Sequence, residues 1–64
     1  MNYCDKIKHI RNKLIFSQQM LADKIGVSFA TVNRWEKGKT IPNYEARRKI
    51  ERLCAENNIT MEEV

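Results

Sequence analysis

This chain has little that could staple or break it: two cysteines, two glycines and one proline in 64 residues. Scarce glycine and proline, with β-branched residues scattered rather than alternating, favour helices over sheet. Cys4 and Cys54 lie near opposite ends with no Cys or His beside them, which excludes a spaced zinc motif within the chain. They read as free thiols packed like small apolar residues, with a disulfide or redox role as the alternative. No apolar run approaches the roughly 18 residues of a membrane span. The opening MNYCDKIKHI lacks the continuous apolar stretch of a signal peptide, so a cytoplasmic protein is expected. Nor is there a glycine-rich phosphate loop, an HExxH pattern or a nucleophile arrangement, and the one histidine, His9, shares its segment with Lys6, Lys8 and Arg11. These absences argue against an enzyme, and no cofactor or metal site is expected.

What is present is a small helical core with basic segments. Sixty-four residues make one domain over 1–64, near the lower limit at which an apolar core alone holds a chain folded. Lys and Arg number 12 against 8 Asp and Glu, a net charge of +4. The placement says more than the sum. Basic residues mark the first segment (Lys6, Lys8, Arg11, Lys13), the middle (Arg34, Lys37, Lys39) and the third quarter (Arg47, Arg48, Lys49, Arg52), while the tail beyond residue 54 is acidic. Such a layout either presents a basic face to phosphates or simply solvates helix surfaces.

Capping signals cut the chain into five helices. Asn2 with Asp5 resembles a capping pair, followed by Ile7, Ile10 and Leu14 at helical spacing, which predicts a first helix over about 3–14. Ser17 can cap a second, flanked by Phe16 and Leu21 as a hydrophobic staple, with Leu21, Ala22 and Ile25 on one face and Gly26 as its stop. Ser28 repeats the device with Val27 and Val32, and Gly38 permits a left-handed stop, which bounds a third helix at about 29–36. Asn43 can cap a fourth, with Ala46, Ile50, Leu53 and Cys54 on its core face and an end near Asn57 and Asn58. Thr60 to Glu63 reads T-x-x-E, a capping box, with Ile59 and Val64 as a third staple; this predicts a fifth helix, either a stub or the start of a longer chain.

The second and third helices are too short to stand alone and must form by packing on the first and fourth. Ala22, Ile25, Gly26 and Val27 put small and apolar residues where two helices cross steeply around a short turn, as a helix-turn-helix requires. The run SQQMLADKIGVSFATVNRWEKGKTIP, residues 17–42, resembles the Cro/CI-type (XRE-family) helix-turn-helix signature, S-Q-x-x-L-A-x-x-I-G-V-S followed by T-V-x-R-W-E-x-G. The resemblance implies an all-α, compact, five-helix lambda-repressor-like domain that binds double-stranded DNA and regulates transcription. One position departs from the pattern. The family usually has glycine between the first two helices, where this chain has Ile15, a β-branched residue ill suited to positive φ, so a differently built first turn is expected.

Stepping 100° per residue along the third helix puts Ser28, Val32, Trp35 and Glu36 on one side and Ala30, Asn33, Arg34 and Lys37 on the other, with Phe29 and Thr31 at the margins. Trp35 reads as a core anchor, with base stacking as the alternative. The opposite face is the one to enter a major groove. Arg34 can donate to guanine O6 and N7 and Asn33 can pair with adenine, each contact discriminating by about 1–3 kcal/mol. Ala30 permits close approach, and Phe29 either meets a thymine methyl or folds against the neighbouring helix. Asn33 could equally be a solvated surface residue.

Gln18 matches the family's phosphate-contacting glutamine, at a helix N-terminus whose amides also favour an anion. Lys37 and Lys39 match its second phosphate clamp, with Thr31 a weaker candidate and Arg47 and Arg48 read as solvated. The family commonly pairs the glutamate at Glu36 with an arginine near the end of the first helix, which here is Arg11. Members often bind as symmetric dimers, and Ile59, Met61 and Val64 in the C-terminal segment are the candidates for a homodimer contact. Two other readings stay open: a protein-interaction or antitoxin-like module, and the DNA-targeting domain of a larger protein.

Overall fold

The computed structural model describes residues 2–59. Four helices follow one another with short connections: α1 (Tyr3–Leu14), α2 (Gln18–Ile25), α3 (Phe29–Glu36) and α4 (Tyr44–Glu56). No strand occurs among the described residues. The fifth helix expected from Thr60 onward lies outside them.

Each helix starts by the same local device. A side-chain oxygen at the N-cap accepts from the backbone N–H three residues on: Asn2 from Asp5 at 2.9 Å, Ser17 from Met20 at 3.0 Å, Ser28 from Thr31 at 3.1 Å and Asn43 from Ala46 at 2.8 Å. Every cap thus satisfies one of the donors that a helix start leaves without a partner, and losing it costs about 1 kcal/mol.

The stops are equally uniform. Ile15, Gly26, Gly38 and Asn58 all take a left-handed conformation. The N–H of the residue after each reaches back to a carbonyl five positions earlier: Phe16 to Arg11 at 2.9 Å, Val27 to Ala22 at 3.0 Å, Lys39 to Arg34 at 3.0 Å and Ile59 to Cys54 at 2.9 Å. This is the Schellman closure. Three of the four closing residues, Phe16, Val27 and Ile59, also pack against the core, which adds the apolar contact that accompanies the motif.

The first turn corrects the expectation drawn from Ile15. Ile15 adopts φ 57° and ψ 46°, so the turn has the left-handed geometry that glycine would give, occupied by a β-branched residue. Its side chain is 86% exposed, so no burial of its own offsets the backbone cost of about 1–2 kcal/mol. The closing bond to Arg11 and the packing of Phe16 hold it there.

Ile7 and Ile10 from α1, Leu21, Ala22 and Ile25 from α2, Val32 and Trp35 from α3, and Ala46, Ile50, Leu53 and Cys54 from α4 share one buried cluster. Leu14, expected on the core face of α1, is only partly buried at its edge. Each large apolar side chain so buried contributes about 1.5–3 kcal/mol. α3 packs on both α1 and α2, and α4 packs on α2. Along α3, Val32, Trp35 and Glu36 are buried while Phe29, Ala30 and Arg34 are exposed.

Candidate nucleic-acid interface

The junction of α2 and α3 is a tight turn over Gly26, Val27 and Ser28. Gly26 has φ 83°, and the N–H groups of Gly26 and Val27 both donate to the Ala22 carbonyl, at 2.8 and 3.0 Å. An added Cβ at Gly26 would meet only Lys49 Nζ at 3.6 Å, an ordinary contact. Backbone angle, not crowding, is what calls for glycine there. This turn leaves the side of α3 away from α1 and α2 open.

Within α3 the faces divide as the helical period predicts except at Asn33, and Ser28, assigned to the inner side, is an exposed N-cap. Val32, Trp35 and Glu36 are buried; Trp35 is 3% exposed and belongs to the core, as its anchor reading holds. Phe29 is 48% exposed, and Ala30, Arg34 and Lys37 are exposed with it. Thr31 is half-buried, its hydroxyl 2.9 Å from that of Ser28. Asn33 is the exception: half-buried at the border of the open face, it turns its side chain toward α2.

Asn33 joins a chain of polar side chains running back under the helix. Its Nδ2 donates to Gln18 Oε1 at 3.3 Å, and Gln18 Nε2 donates to Glu36 Oε1 at 3.0 Å. Arg11 Nη2 donates to the same Glu36 oxygen at 2.8 Å, and Arg11 Nε pairs with Oε2. Arg11 Nη1 reaches the Phe16 carbonyl at 3.2 Å, and the Cys4 thiol donates to the Glu36 carbonyl. The expected Arg11–Glu36 pair is thus formed, bidentate, and ties α1 to α3. Among the described residues no buried side-chain polar atom lacks a partner.

Burial acts to raise the Glu36 pKa. Hydrogen bonds from Arg11 and Gln18 and the charges of Arg11 and Lys8 outweigh it, so the carboxyl sits below its usual range and is ionised at neutral pH. The bond to Glu36 likewise holds the Arg11 guanidinium above its ordinary value. On α4, burial raises the Cys54 thiol, helped by Glu51 and opposed by Lys6. Both cysteines are free, and Cys54 is a protonated, poorly nucleophilic thiol.

Arg11 with Glu36 is the sole ion pair among the described residues, so Arg34, Lys37 and Lys39 have no carboxylate partner there. Lys37 and Lys39 are exposed on either side of left-handed Gly38, at the end of α3. Arg47 and Arg48 are exposed on α4, and Arg48 lies over the Tyr44 ring at 5.9 Å. Sequence reasoning did not single out Tyr44 or Ile41, both exposed large side chains. It also missed the bonding of Gln18 to both Asn33 and Glu36, which no periodicity signals. Of the proposed dimer residues, Ile59 is partly buried against the core, and Met61 and Val64 lie outside the described residues. Among the described residues no group of three or more His, Cys, Asp or Glu is placed to hold a metal ion, and no helix is long and apolar enough to cross a membrane.

Two capped helices joined by a tight glycine turn, the second open and basic on its outer side, define a helix-turn-helix. The helix-turn-helix family model matches residues 7–56, and the chain belongs to that family, in its XRE-type DNA-binding branch. It is 28% identical over 64 residues to the HTH-type transcriptional activator BcrR of Enterococcus faecalis, a match covering 100% of this chain. The chain spans 30% of the length of that relative. No solved structure matches it.

Proposed function

We propose that the chain binds double-stranded DNA sequence-specifically by laying α3 in the major groove, as the DNA-binding domain of a transcription regulator. The observation that carries this reading is the outer side of α3: Phe29, Ala30 and Arg34 exposed together, with Arg34, Lys37 and Lys39 free of carboxylate partners among the described residues. An unpaired guanidinium on an open helix face loses no internal partner on meeting guanine O6 and N7, and an exposed Ala30 lets the helix approach closely. Phe29 and Asn33 complete the base-reading set. Lys37, Lys39 and Gln18 hold phosphates at the rim, with Thr31 a minor contributor, since its hydroxyl is already engaged by Ser28. Gln18 is half-buried, yet its amide keeps one N–H beyond the bond to Glu36, enough for a phosphate oxygen.

The relative's printed role, transcriptional activation, supports a regulatory setting for this domain. Binding as a symmetric pair on half-sites about 34 Å apart is the expected mode. The test is selection of duplex sites from a random library by the purified chain, followed by affinity measured against salt. Enrichment of one motif, with log K falling linearly in log salt, supports the proposal, and Lys39→Ala should weaken binding to every duplex alike and reduce the salt slope by about 1. No enrichment and a flat salt dependence would transfer the reading to a protein-interaction module.

A further inference from the structure

The polar chain beneath α3 has a direction that follows from chemistry alone. An ionised carboxylate only accepts hydrogen bonds, and two Arg11 nitrogens already face Glu36. The Gln18 group 3.0 Å from Glu36 Oε1 must therefore be its NH2, because a carbonyl oxygen there would face a negative charge with no proton between them. That turns Gln18 Oε1 toward Asn33. Asn33 must in turn offer its own NH2 across the 3.3 Å gap, which leaves its carbonyl oxygen and its second N–H for an outside partner.

We infer that Glu36, anchored by Arg11, acts through Gln18 to fix which way round the Asn33 carboxamide faces, setting Asn33 to read adenine and to reject guanine. Adenine presents a donor at N6 beside an acceptor at N7, which matches one oxygen and one N–H. Guanine presents two acceptors, O6 and N7, and suits an amide free to turn its NH2 outward. Asn33 alone fits either base. The inference rests on the proposed seating of α3 in the groove. Within that reading it makes Gln18 and Glu36 positioning residues for specificity, in addition to the phosphate contact assigned to Gln18.

The test uses the whole chain and 20-base-pair duplexes of the selected site. The base step read by Asn33 is the one at which Asn33→Ala abolishes preference, and duplexes carrying A or G there are titrated with wild type, Gln18→Ala and Glu36→Gln. Wild type should favour A over G by about tenfold. Both variants should bring the ratio close to one by gaining affinity for G relative to A, with Lys39→Ala, which weakens both duplexes alike, as the control. Gln18→Ala keeps the Arg11–Glu36 pair and so guards against a folding defect. In the free protein, one of the two Asn33 side-chain amide protons should be shifted downfield by its bond to Gln18, and that shift should vanish in Gln18→Ala. An unchanged A-to-G ratio in both variants overturns the inference while leaving sequence-specific binding intact, as does a wild-type preference for G at that step. A wild type that selects no duplex at all overturns the proposed function, and the inference with it.

Discussion

The seam where α1 meets α3 and the open side of α3 lie across one eight-residue helix from each other, and they use charge in opposite ways. At the seam, Arg11 is held by two bonds to the carboxylate of Glu36, a residue 7% exposed, and donates a third to the Phe16 carbonyl, while Gln18 donates to the same carboxylate. On the open side, Arg34 is exposed and unpaired among the described residues. The first guanidinium has fixed its geometry at the cost of desolvation. The second remains solvated and keeps all five N–H donors for a partner. Rigidity on one side of a helix and availability on the other is what the proposed reading of bases by α3 needs, because a contact discriminates only when the scaffold cannot shift to accommodate the wrong partner.

Breaking the seam should have the largest effect. Arg11→Ala leaves Glu36 buried with Gln18 as its remaining side-chain donor, and should lower stability by about 3 kcal/mol in urea unfolding. Glu36→Ala should cost less, because the Arg11 side chain is 23% exposed and can turn to water whereas that of Glu36 is only 6% exposed. Equal losses for the two would mean that the carboxylate is better solvated than its burial indicates. Arg34→Ala should do the reverse of both, leaving the unfolding midpoint in place while relaxing preference at one base pair by about 2 kcal/mol in duplex titrations. A thermal shift of several degrees in that variant would contradict the division between seam and open side.

Acid should weaken the seam. Because the folded-state pKa of Glu36 lies below its unfolded value, the pair's contribution to stability is complete above the ordinary carboxylate range near 4.3. It is lost as the pH falls through that value and on through the lower folded one. A urea midpoint followed from pH 7 downward should therefore stay level on this account and then drop, and Glu36→Gln should lack that part of the drop. The smallest effect should come from Ile15→Gly, which relieves the left-handed strain but loosens the unfolded chain, for a net gain of roughly 0.5–1 kcal/mol.

Caps and faces were legible in the sequence because each is a local rule. Ser17, Ser28 and Asn43 lie where a short polar side chain meets the start of an apolar period, and all three cap helices with the expected bonds. The stops at Gly26, Gly38 and Asn58 were readable for the same reason. Ile15 was not, because propensity argued against its conformation and only the closing bond to Arg11 and the packing of Phe16 override it. Arg11 with Glu36 was legible only through family resemblance, since the partners are 25 positions apart and no local pattern joins them. The side-chain direction of Asn33 was legible by neither route. It depends on where α2 places Gln18, and helical period assigned Asn33 to the open face without seeing that neighbour.

The repeated caps and closures have a consequence in time. Every helix boundary from Asn2 to Ile59 is set by bonds spanning only three to five residues, so where each helix starts and stops is decided locally even though α2 and α3 gain their stability from packing. Helical domains rich in such local contacts fold within microseconds to milliseconds. The late event should then be the joining of Arg11 to Glu36, the contact with the longest chain to close among the polar bonds that orient α3, apart from the Cys4 bond to the Glu36 carbonyl. Mutations at the caps should accordingly slow folding, whereas mutations at the Arg11–Glu36 seam should chiefly speed unfolding and so shorten the lifetime of the folded state.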